Sequence, residues 1–331
     1  MSVAVFYPCK PFEITDEVTK DIIANGIETV YPVLNHPPQD TDRGKREEFL
    51  HLLRDPCIDT LMVWRGGRIE DNGNLWKSAY GLLENLSEDD WDEIKQHPKR
   101  IVGYSDATYL LCALLSNGID CFYGPNYNST LQCLSKDELD TTLRYLAMAL
   151  ERKTDYTIFF EDEKLTLGCF KPWTINDGVT TGRLVGGNLD TIYDLLRNRN
   201  GNKWFSLQPA DILFLEEVDP YYLRKDFSGI VSIHDKFAYL ADKGVFSGIG
   251  GLLLGRSKSP TVHDPENGIF LEPVDNSIEQ EYLAEVIRDA LPADFPILAN
   301  VACSHTHPMV TLPLGKTVAL DATSKTLTVH V

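Results

Sequence analysis

A serine on a predicted strand-to-helix turn is the residue of this chain best suited to act as a nucleophile. Ser105 follows the apolar run Ile101–Val102 and Gly103, and a helical pattern begins directly after it. Such a turn holds the hydroxyl clear of its own backbone and beside the free N–H groups of the helix start. Gly103 and Ser105 match the first and third positions of the G-x-S-x-G nucleophile elbow, and Ala107 replaces its last glycine. The alternative is that Ser105 is only the N-cap of the helix.

A base and an orienting carboxylate for this serine stand at two other predicted strand ends. Glu216 follows the apolar run Ile212–Leu215, and His305 follows Ile297–Val301. A nucleophile, a carboxylate and a histidine in this chain order are typical of elbow-type hydrolases. Each residue also has a structural explanation, because Glu216 could be an exposed charge that closes a strand and His305 a hydrogen-bonded loop histidine. His307 is a rival base that chemistry alone does not exclude.

The composition is that of an acidic globular protein. The 331 residues include 31 Lys and Arg against 49 Asp and Glu, a net charge of −18. Such a chain repels phosphate groups, so we expect neither nucleic acid nor a membrane as a partner. The sequence shows no basic leader before an apolar core and no stretch expected to span a bilayer. Seven scattered cysteines without a C-x-x-C pair indicate buried thiols and predict a cytoplasmic location.

Short apolar runs alternate with helical patterns in the first half of the chain. Ile58–Trp64 and Ile101–Tyr104 are predicted as buried strands, and capping boxes predict helix starts at Ser87 and Ser135. This alternation predicts an α/β fold, with an N-terminal domain of a mostly parallel sheet flanked by helices over residues 1–152.

The second half of the chain predicts a further α/β domain. Residues 153–180 are rich in charged and turn-forming residues, and we assign them to the connection between the domains. The C-terminal domain, residues 181–331, contains a helix opened by Gly186–Asn188 and an alternating tail over 317–331 that predicts an edge hairpin. Ligands of such sheets bind at the carboxyl ends of the strands, so we expect the active site at the domain interface.

Several motifs occur in a fixed order over about residues 60 to 322. The motifs are Arg65-Gly66-Gly67, Gly103-Tyr104-Ser105-Asp106, Tyr123-Gly124-Pro125, Gly186-Gly187-Asn188-Leu189, Leu213–Glu217, Gly250–Gly255, His305–Met309 and Leu312–Gly315. As a set they resemble the LD-carboxypeptidase and microcin C self-immunity family of serine peptidases. Tyr123-Gly124-Pro125, the His-Thr-x-Pro-Met form and Val318–Ala322 are more similar to the microcin-immunity branch.

The resemblance implies a catalytic triad and an oxyanion hole. The triad comprises a nucleophile, an orienting carboxylate and a general base, namely Ser105, Glu216 and His305. His305 is chosen over His307 because the histidine before Thr-x-Pro is the family's base. The oxyanion hole would consist of the backbone N–H of Asp106 and a glycine N–H from Gly66-Gly67. The implied activity is amide hydrolysis through an acyl-enzyme, with neither a metal nor an organic cofactor.

The chain departs from the family pattern around this set. The segment Arg68–Asn74 replaces a glycine-rich continuation, Pro8–Pro11 replaces small residues and serine, Ser304 replaces a glycine or aspartate, and His307 stands where an aspartate is frequent. These departures change the shape and charge of the substrate pocket and leave the three catalytic positions intact.

The resemblance also implies a choice of substrates. One branch of the family removes a terminal D-residue from murein tetrapeptides, and the other cleaves aminoacyl or peptidyl groups from a nucleotide-like portion. We predict the second, with the murein activity, or a catalytically idle peptide-binding relative, as alternatives. Candidate substrate-binding residues are Phe170, Trp173, Asn188, Glu217 and His307. The two aromatic residues could instead pack between the domains. A homodimer is a family expectation.

Overall fold

The structure is a computed structural model that describes residues 2–6, 8, 29–32, 41–64, 66, 79–127, 135–166, 170–197, 201–217, 231–256, 277–291 and 294–331. Within these residues the chain forms a six-stranded and an eight-stranded sheet, together with helices. The predicted α/β class is confirmed. Among the described residues, none of the helices combines the length and the apolar character that a membrane span requires.

The first sheet has the strand order β12-β5-β4-β3-β1-β2. Its strands are β1 (Ser2–Phe6), β2 (Thr29–Pro32), β3 (Thr60–Val63), β4 (Arg100–Gly103), β5 (Cys121–Tyr123) and β12 (Leu312–Leu314). The first five strands are parallel, and β12 pairs antiparallel with β5. Every residue of β3 is buried, as expected where both faces of a parallel sheet are covered.

The described residues of the first half of the chain form five α-helices. They are α1 (Asp42–Arg54), α2 (Tyr80–Asn85), α3 (Glu88–Gln96), α4 (Thr108–Ser116) and α5 (Lys136–Glu151). Both predicted capping boxes are confirmed, at Ser87 with Asp90 and at Ser135 with Glu138. In each box the carboxylate three residues further on accepts from the backbone N–H of the serine, over 2.7 Å at Ser87 and 3.1 Å at Ser135, which satisfies a donor that the helix start leaves open.

The second sheet has the order β6-β14-β13-β8-β9-β10-β11-β7. Its strands are β6 (Tyr156–Phe159), β7 (Trp173–Asn176), β8 (Val179–Asn188), β9 (Ile212–Glu216), β10 (Gly251–Gly255), β11 (Ile297–Val301), β13 (Thr317–Asp321) and β14 (Thr326–Val329). Strands β8 to β11 are parallel and form its centre. The helices of this half are α6 (Glu163–Thr166), α7 (Leu189–Arg197), α8 (Gly201–Trp204), α9 (Ile233–Asp242) and α10 (Ser277–Ala290).

The structure differs from the sequence predictions at the margins of the second sheet. The hairpin of β13 and β14 does not lie at the edge, because β6 pairs with β14 on its outer side. Both β6 and β7 come from residues 153–180, which the sequence analysis assigned to a connection. In β6 the buried Tyr156 and Ile158 alternate with more exposed residues, but the strand has only 4 residues, which gives a weak signal among turn-forming neighbours.

The carboxyl ends of the central strands of both sheets meet. The backbone N–H of Asn188, at the end of β8, donates to Thr108 Oγ1 at the start of α4 over 3.0 Å. Gly187 has a φ of +151°, and a Cβ there would lie 2.6 Å from the Thr108 methyl carbon. Only glycine allows this approach, since any side chain would separate β8 from α4.

Candidate active site

The turn after β4 presents Ser105 in a conformation that serine rarely adopts. Ser105 has a φ of 62°, within the left-handed region, which costs a non-glycine residue about 1–3 kcal/mol. A Cβ at Gly103 would lie 2.8 Å from Val63 and 2.9 Å from the Ala107 methyl group, so the turn requires glycine at 103 and a small residue at 107. Strained backbone of this kind is concentrated at functional sites.

The Ser105 side chain is not a helix cap. A short 3-10 helix spans Ser105–Ala107 and leads into α4, and neither helix start has a side-chain capping bond. The backbone N–H of Ser105 donates to the Tyr123 hydroxyl over 3.1 Å. The half-buried serine hydroxyl therefore lies at a strained turn without a capping function.

Glu216 and His305 are hydrogen-bonded to each other. His305 Nδ1 lies 2.9 Å from Glu216 Oε2, and the Glu216 side chain is fully buried. Its other oxygen, Oε1, accepts from the Tyr123 hydroxyl over 2.5 Å and from Asn188 Nδ2 over 2.9 Å. Tyr104 packs edge-on against the His305 ring, with 4.8 Å between the ring centroids. The carboxylate is thus fixed on both oxygens, and His305 is the histidine that it contacts.

These contacts keep Glu216 ionised inside the protein. Burial by itself would raise the pKa of this carboxyl, but the His305 charge and the hydrogen bonds from His305, Tyr123 and Asn188 outweigh it. The net effect is a pKa below the ordinary glutamate value. An ionised carboxylate at the Nδ1 side of a histidine orients the ring and favours its charged form during proton transfer.

Gly66 lies against the serine side chain. A Cβ built at Gly66 would be 3.0 Å from Ser105 Cβ, 3.1 Å from Ser105 Oγ and 3.6 Å from the Asp106 backbone nitrogen. The structure therefore places Gly66, a predicted oxyanion-hole residue, beside Ser105 and beside the backbone nitrogen of Asp106, the second such residue. The Asp106 carboxylate faces elsewhere and accepts from the Ala79 N–H over 2.7 Å. Gly67 lies outside the described residues.

Asn188 and Glu217, both predicted to bind substrate, have partners within the fold. Asn188 Oδ1 accepts from the backbone N–H and the hydroxyl of Thr191, each over 3.0 Å, so it caps α7 while its Nδ2 holds Glu216. Glu217 is fully buried and pairs with Lys236 Nζ over 2.7 Å. Lys236 also contacts Asp190 in the first turn of α7. The substrate role of Asn188 and Glu217 stays a prediction.

The two predicted aromatic contacts lie in the second half of the chain. The Phe170 ring is covered by the Arg256 guanidinium at 4.9 Å, and Arg256 also donates to the Phe170 carbonyl over 3.1 Å. Trp173 opens β7, pairs with Ala299 and is half-buried. Its indole nitrogen is buried and has no hydrogen-bond partner within the described part of the chain. His307 is half-buried and precedes Pro308 through a cis peptide bond. Their roles toward a substrate stay predictions.

Sequence reasoning did not assign a role to Tyr123 or Lys236. Tyr123 belongs to one of the motifs, and its position at the end of β5 was a usable signal because β5 neighbours β4. Lys236 gave no signal of this kind. It lies on a helix face with Ile233, Phe237 and Leu240, where a single lysine resembles an ordinary exposed residue.

Comparison with known proteins identifies the family. Residues 3–124 match the model of the LD-carboxypeptidase N-terminal domain, and residues 181–320 match that of the LD-carboxypeptidase C-terminal domain. The chain therefore belongs to the LD-carboxypeptidase family, which confirms the resemblance found in the sequence. It is a serine peptidase of the carboxypeptidase type.

Relatives of both branches are similar to this chain. The microcin C7 self-immunity protein MccF of Escherichia coli is 30% identical over 312 residues, covering 87% of this chain and 78% of the relative. A Vibrio cholerae protein described as a carboxypeptidase is 28% identical over 297 residues, covering 84% and 77%.

Solved structures share the fold over the whole chain. Unliganded MccF aligns with a TM-score of 0.69 at 25% identity and covers 100% of this chain and 96% of MccF. Muramoyltetrapeptide carboxypeptidase from Oxalobacter formigenes aligns with a TM-score of 0.71 at 20% identity and covers 100% and 99%. MccF has also been solved with glutamyl sulfamoyl guanosine and with aspartyl sulfamoyl adenosine.

Proposed function

We propose that this peptidase hydrolyses an amide bond through an acyl-enzyme, with Ser105 as nucleophile, His305 as general base and Glu216 as the orienting carboxylate. The observation that carries the proposal is the 2.9 Å contact between His305 Nδ1 and the buried Glu216. This contact occupies Nδ1 and leaves Nε2 as the ring nitrogen that can exchange a proton. The strained turn at Ser105 supports its role as the nucleophile.

The reaction proceeds in two proton-balanced halves. Ser105 Oγ attacks the carbonyl carbon while His305 Nε2 takes its proton, and His305 then gives that proton to the leaving amine as the C–N bond breaks. Water attacks the resulting ester in the same way, and the proton returns to Ser105. The oxyanion is held by the Asp106 backbone N–H and a glycine N–H of Gly66-Gly67. The Ser105 N–H is directed to Tyr123 instead.

We propose aminoacyl- or peptidyl-nucleotide conjugates as the substrate class. The proposal is supported by 30% identity to MccF, a protein solved with aminoacyl sulfamoyl nucleosides. The half-buried Trp173 offers a ring for a nucleobase, and stacking of this kind contributes about 1–3 kcal/mol per base. Phe170 lies in the same segment of the chain.

A murein LD-carboxypeptidase is the second candidate. It is favoured by the two family models, both named for that activity, and by the carboxypeptidase relative from Vibrio cholerae. In that reaction the same triad would release a terminal D-residue from a tetrapeptide, so the distinction between the candidates lies in the pocket and not in the catalytic groups.

Parallel assays of wild type and Ser105→Ala on an aminoacyl sulfamoyl adenosine and a murein tetrapeptide test this proposal. We expect wild type to cleave the adenosine conjugate and Ser105→Ala to lose turnover by about 10⁴-fold or more, because a triad without its nucleophile keeps only residual catalysis. Trp173→Ala in the same assay should raise KM for the conjugate roughly tenfold.

Each other outcome of the assay has a defined meaning. Cleavage of the tetrapeptide alone would establish the murein activity and refute the nucleotide substrate. Equal turnover by wild type and Ser105→Ala would refute Ser105 as the nucleophile. Binding of either compound without turnover by wild type would favour the idle binding relative.

The proposal also includes a domain division, a location and an oligomeric state. We propose the division into residues 1–152, 153–180 and 181–331, which is supported by the separate family matches over 3–124 and 181–320. We also propose a cytoplasmic homodimer. The buried free thiols of Cys112, Cys121 and Cys303 agree with a reducing compartment. Light scattering would test the dimer.

A further inference from the structure

Tyr123 joins the nucleophile turn to the catalytic carboxylate. Its hydroxyl oxygen lies 3.1 Å from the Ser105 backbone nitrogen and 2.5 Å from Glu216 Oε1. These two bonds connect residues from the first and second halves of the chain. The tyrosine side chain is fully buried, so the hydroxyl is screened from bulk water that would compete for either bond.

The direction of both hydrogen bonds follows from the chemistry of the groups. A backbone N–H can only donate, so the Tyr123 oxygen accepts from Ser105 and its single proton points to Glu216. Burial and the neighbouring charge of Glu216 raise the pKa of the Tyr123 phenol well above its usual value. The hydroxyl is therefore a permanent donor to the carboxylate at physiological pH.

The tyrosine also decides which oxygen of Glu216 faces the histidine. Oε1 accepts from Tyr123 and Asn188, which leaves Oε2 for His305 Nδ1 at 2.9 Å. The Tyr123 ring is itself held edge-on against Phe214, with 5.1 Å between ring centroids. Because the ring cannot shift without losing this packing, the hydroxyl is a fixed reference point between the turn and the carboxylate.

We propose that Tyr123 is a positioning residue that locks the Ser105 turn and the Glu216–His305 pair into one geometry. This inference rests on the proposed function, because it assigns to Tyr123, a residue outside the triad, the task of positioning the triad. It also gives the Ser105 N–H a structural task outside the oxyanion hole. Asn188 provides the second bond to Glu216, but its capping of α7 makes it a poorer residue to test.

The test compares Tyr123→Phe with Tyr109→Phe. Tyr109 is a matched control because it is also fully buried and donates its hydroxyl to a carboxylate, that of Asp194, over 2.7 Å. The readouts are the rate at which a fluorophosphonate probe modifies Ser105, the kcat and KM for a substrate that wild type cleaves, and the urea midpoint. The probe reports on nucleophile activation whatever the natural substrate is.

We expect Tyr123→Phe to lower the labelling rate and kcat by about 10- to 100-fold, the cost of losing one hydrogen bond to a charged group, with KM little changed. Tyr109→Phe should label at nearly the wild-type rate. If Tyr123→Phe labels as fast as Tyr109→Phe, the positioning role is wrong. If wild type is not labelled at Ser105, the proposed function fails instead.

A second series keeps the test decisive where Tyr123→Phe fails to fold. Replacing Tyr123 by 3-fluorotyrosine and 3,5-difluorotyrosine preserves the hydroxyl and its shape while strengthening it as a donor. The labelling rate should change progressively across the series if the bond to Glu216 positions the triad. A constant rate in folded variants would overturn the proposal, because a purely structural hydroxyl would not report its donor strength in catalysis.

Discussion

Glu216 and Glu217 are neighbours in the chain and both fully buried, but their surroundings shift their pKa values in opposite directions. Glu216 is held by His305, Tyr123 and Asn188, and its pKa lies below the ordinary value although burial opposes this. Glu217 pairs with Lys236, yet burial, Asp190 and Glu216 outweigh that lysine and raise its pKa to about 8. The pKa values of adjacent carboxyls on one strand end are therefore shifted in opposite directions because their surroundings differ.

The surroundings of Glu216 suit proton transfer, whereas those of Glu217 suit stabilisation of the fold. The partners of Glu216 are two neutral donors and a histidine that is partly exposed, so this carboxylate can respond to a proton moving through the ring. The partner of Glu217 is a lysine whose own side chain is only 3% exposed. Burial lowers the pKa of Lys236, but Glu217 and Asp190 outweigh it, and the net pKa is raised. Glu217, Lys236 and Asp190 therefore form an internal polar cluster that stabilises the fold.

The largest expected effect comes from removing the charge of Glu216. Glu216→Gln should lower kcat by about 10³- to 10⁴-fold with the fold intact, since an amide favours the wrong histidine tautomer. Glu217→Gln should lower kcat far less. Steady-state kinetics on the substrate cleaved by wild type measures both, and equal losses would break the functional distinction between the two carboxyls.

Removing the cation of the internal cluster should cost stability. Lys236→Met removes the donor that Glu217 and Asp190 share, and leaving a buried polar group without its partner typically lowers the free energy of unfolding by about 1–3 kcal/mol. Lys45→Met is a suitable control, because Lys45 is nearly as buried but its partner Asp42 is 18% exposed. Urea denaturation should show a larger loss at 236 than at 45, and equal losses would contradict the stabilising role of the cluster.

The smallest effect is a change in the pH dependence of stability. The pKa of Glu217 rises from 4.5 to about 8 on folding, so the folded state holds a proton that the unfolded chain releases. Its stabilisation is complete below about pH 4.5 and is lost as the pH rises through about 8. Burial raises the pKa of Glu48 to about 7, which adds a slope of the same sign.

Glu217→Gln isolates the contribution of this one carboxyl. Between pH 5 and 8 the free energy of unfolding of wild type should fall more than that of the variant, because only wild type loses the stabilisation of the protonated carboxyl as the pH rises. Urea denaturation of both proteins at pH 5 and at pH 8 provides the measurement. An equal fall in the free energy of unfolding of wild type and variant would contradict the raised pKa of Glu217.

The sequence by itself determined the local features of this protein. The turn at Gly103–Ala107, the capping boxes at Ser87 and Ser135 and the buried strands are visible because each depends on neighbours within a few residues. The order of Ser105, Glu216 and His305 was also visible from the strand ends, and the family's motifs chose His305 over His307.

Only the tertiary structure decided how these pieces meet. The bond from Tyr123 to Glu216 spans 93 positions of the chain, and that from Lys236 to Glu217 joins a helix to a strand end. The edge position of β6 and the transfer of Leu312–Leu314 to the first sheet likewise depend on pairing between distant segments. The partner of a buried polar group is known only from the folded chain. Burial makes a hydrogen bond necessary, and long-range packing determines which residue provides it.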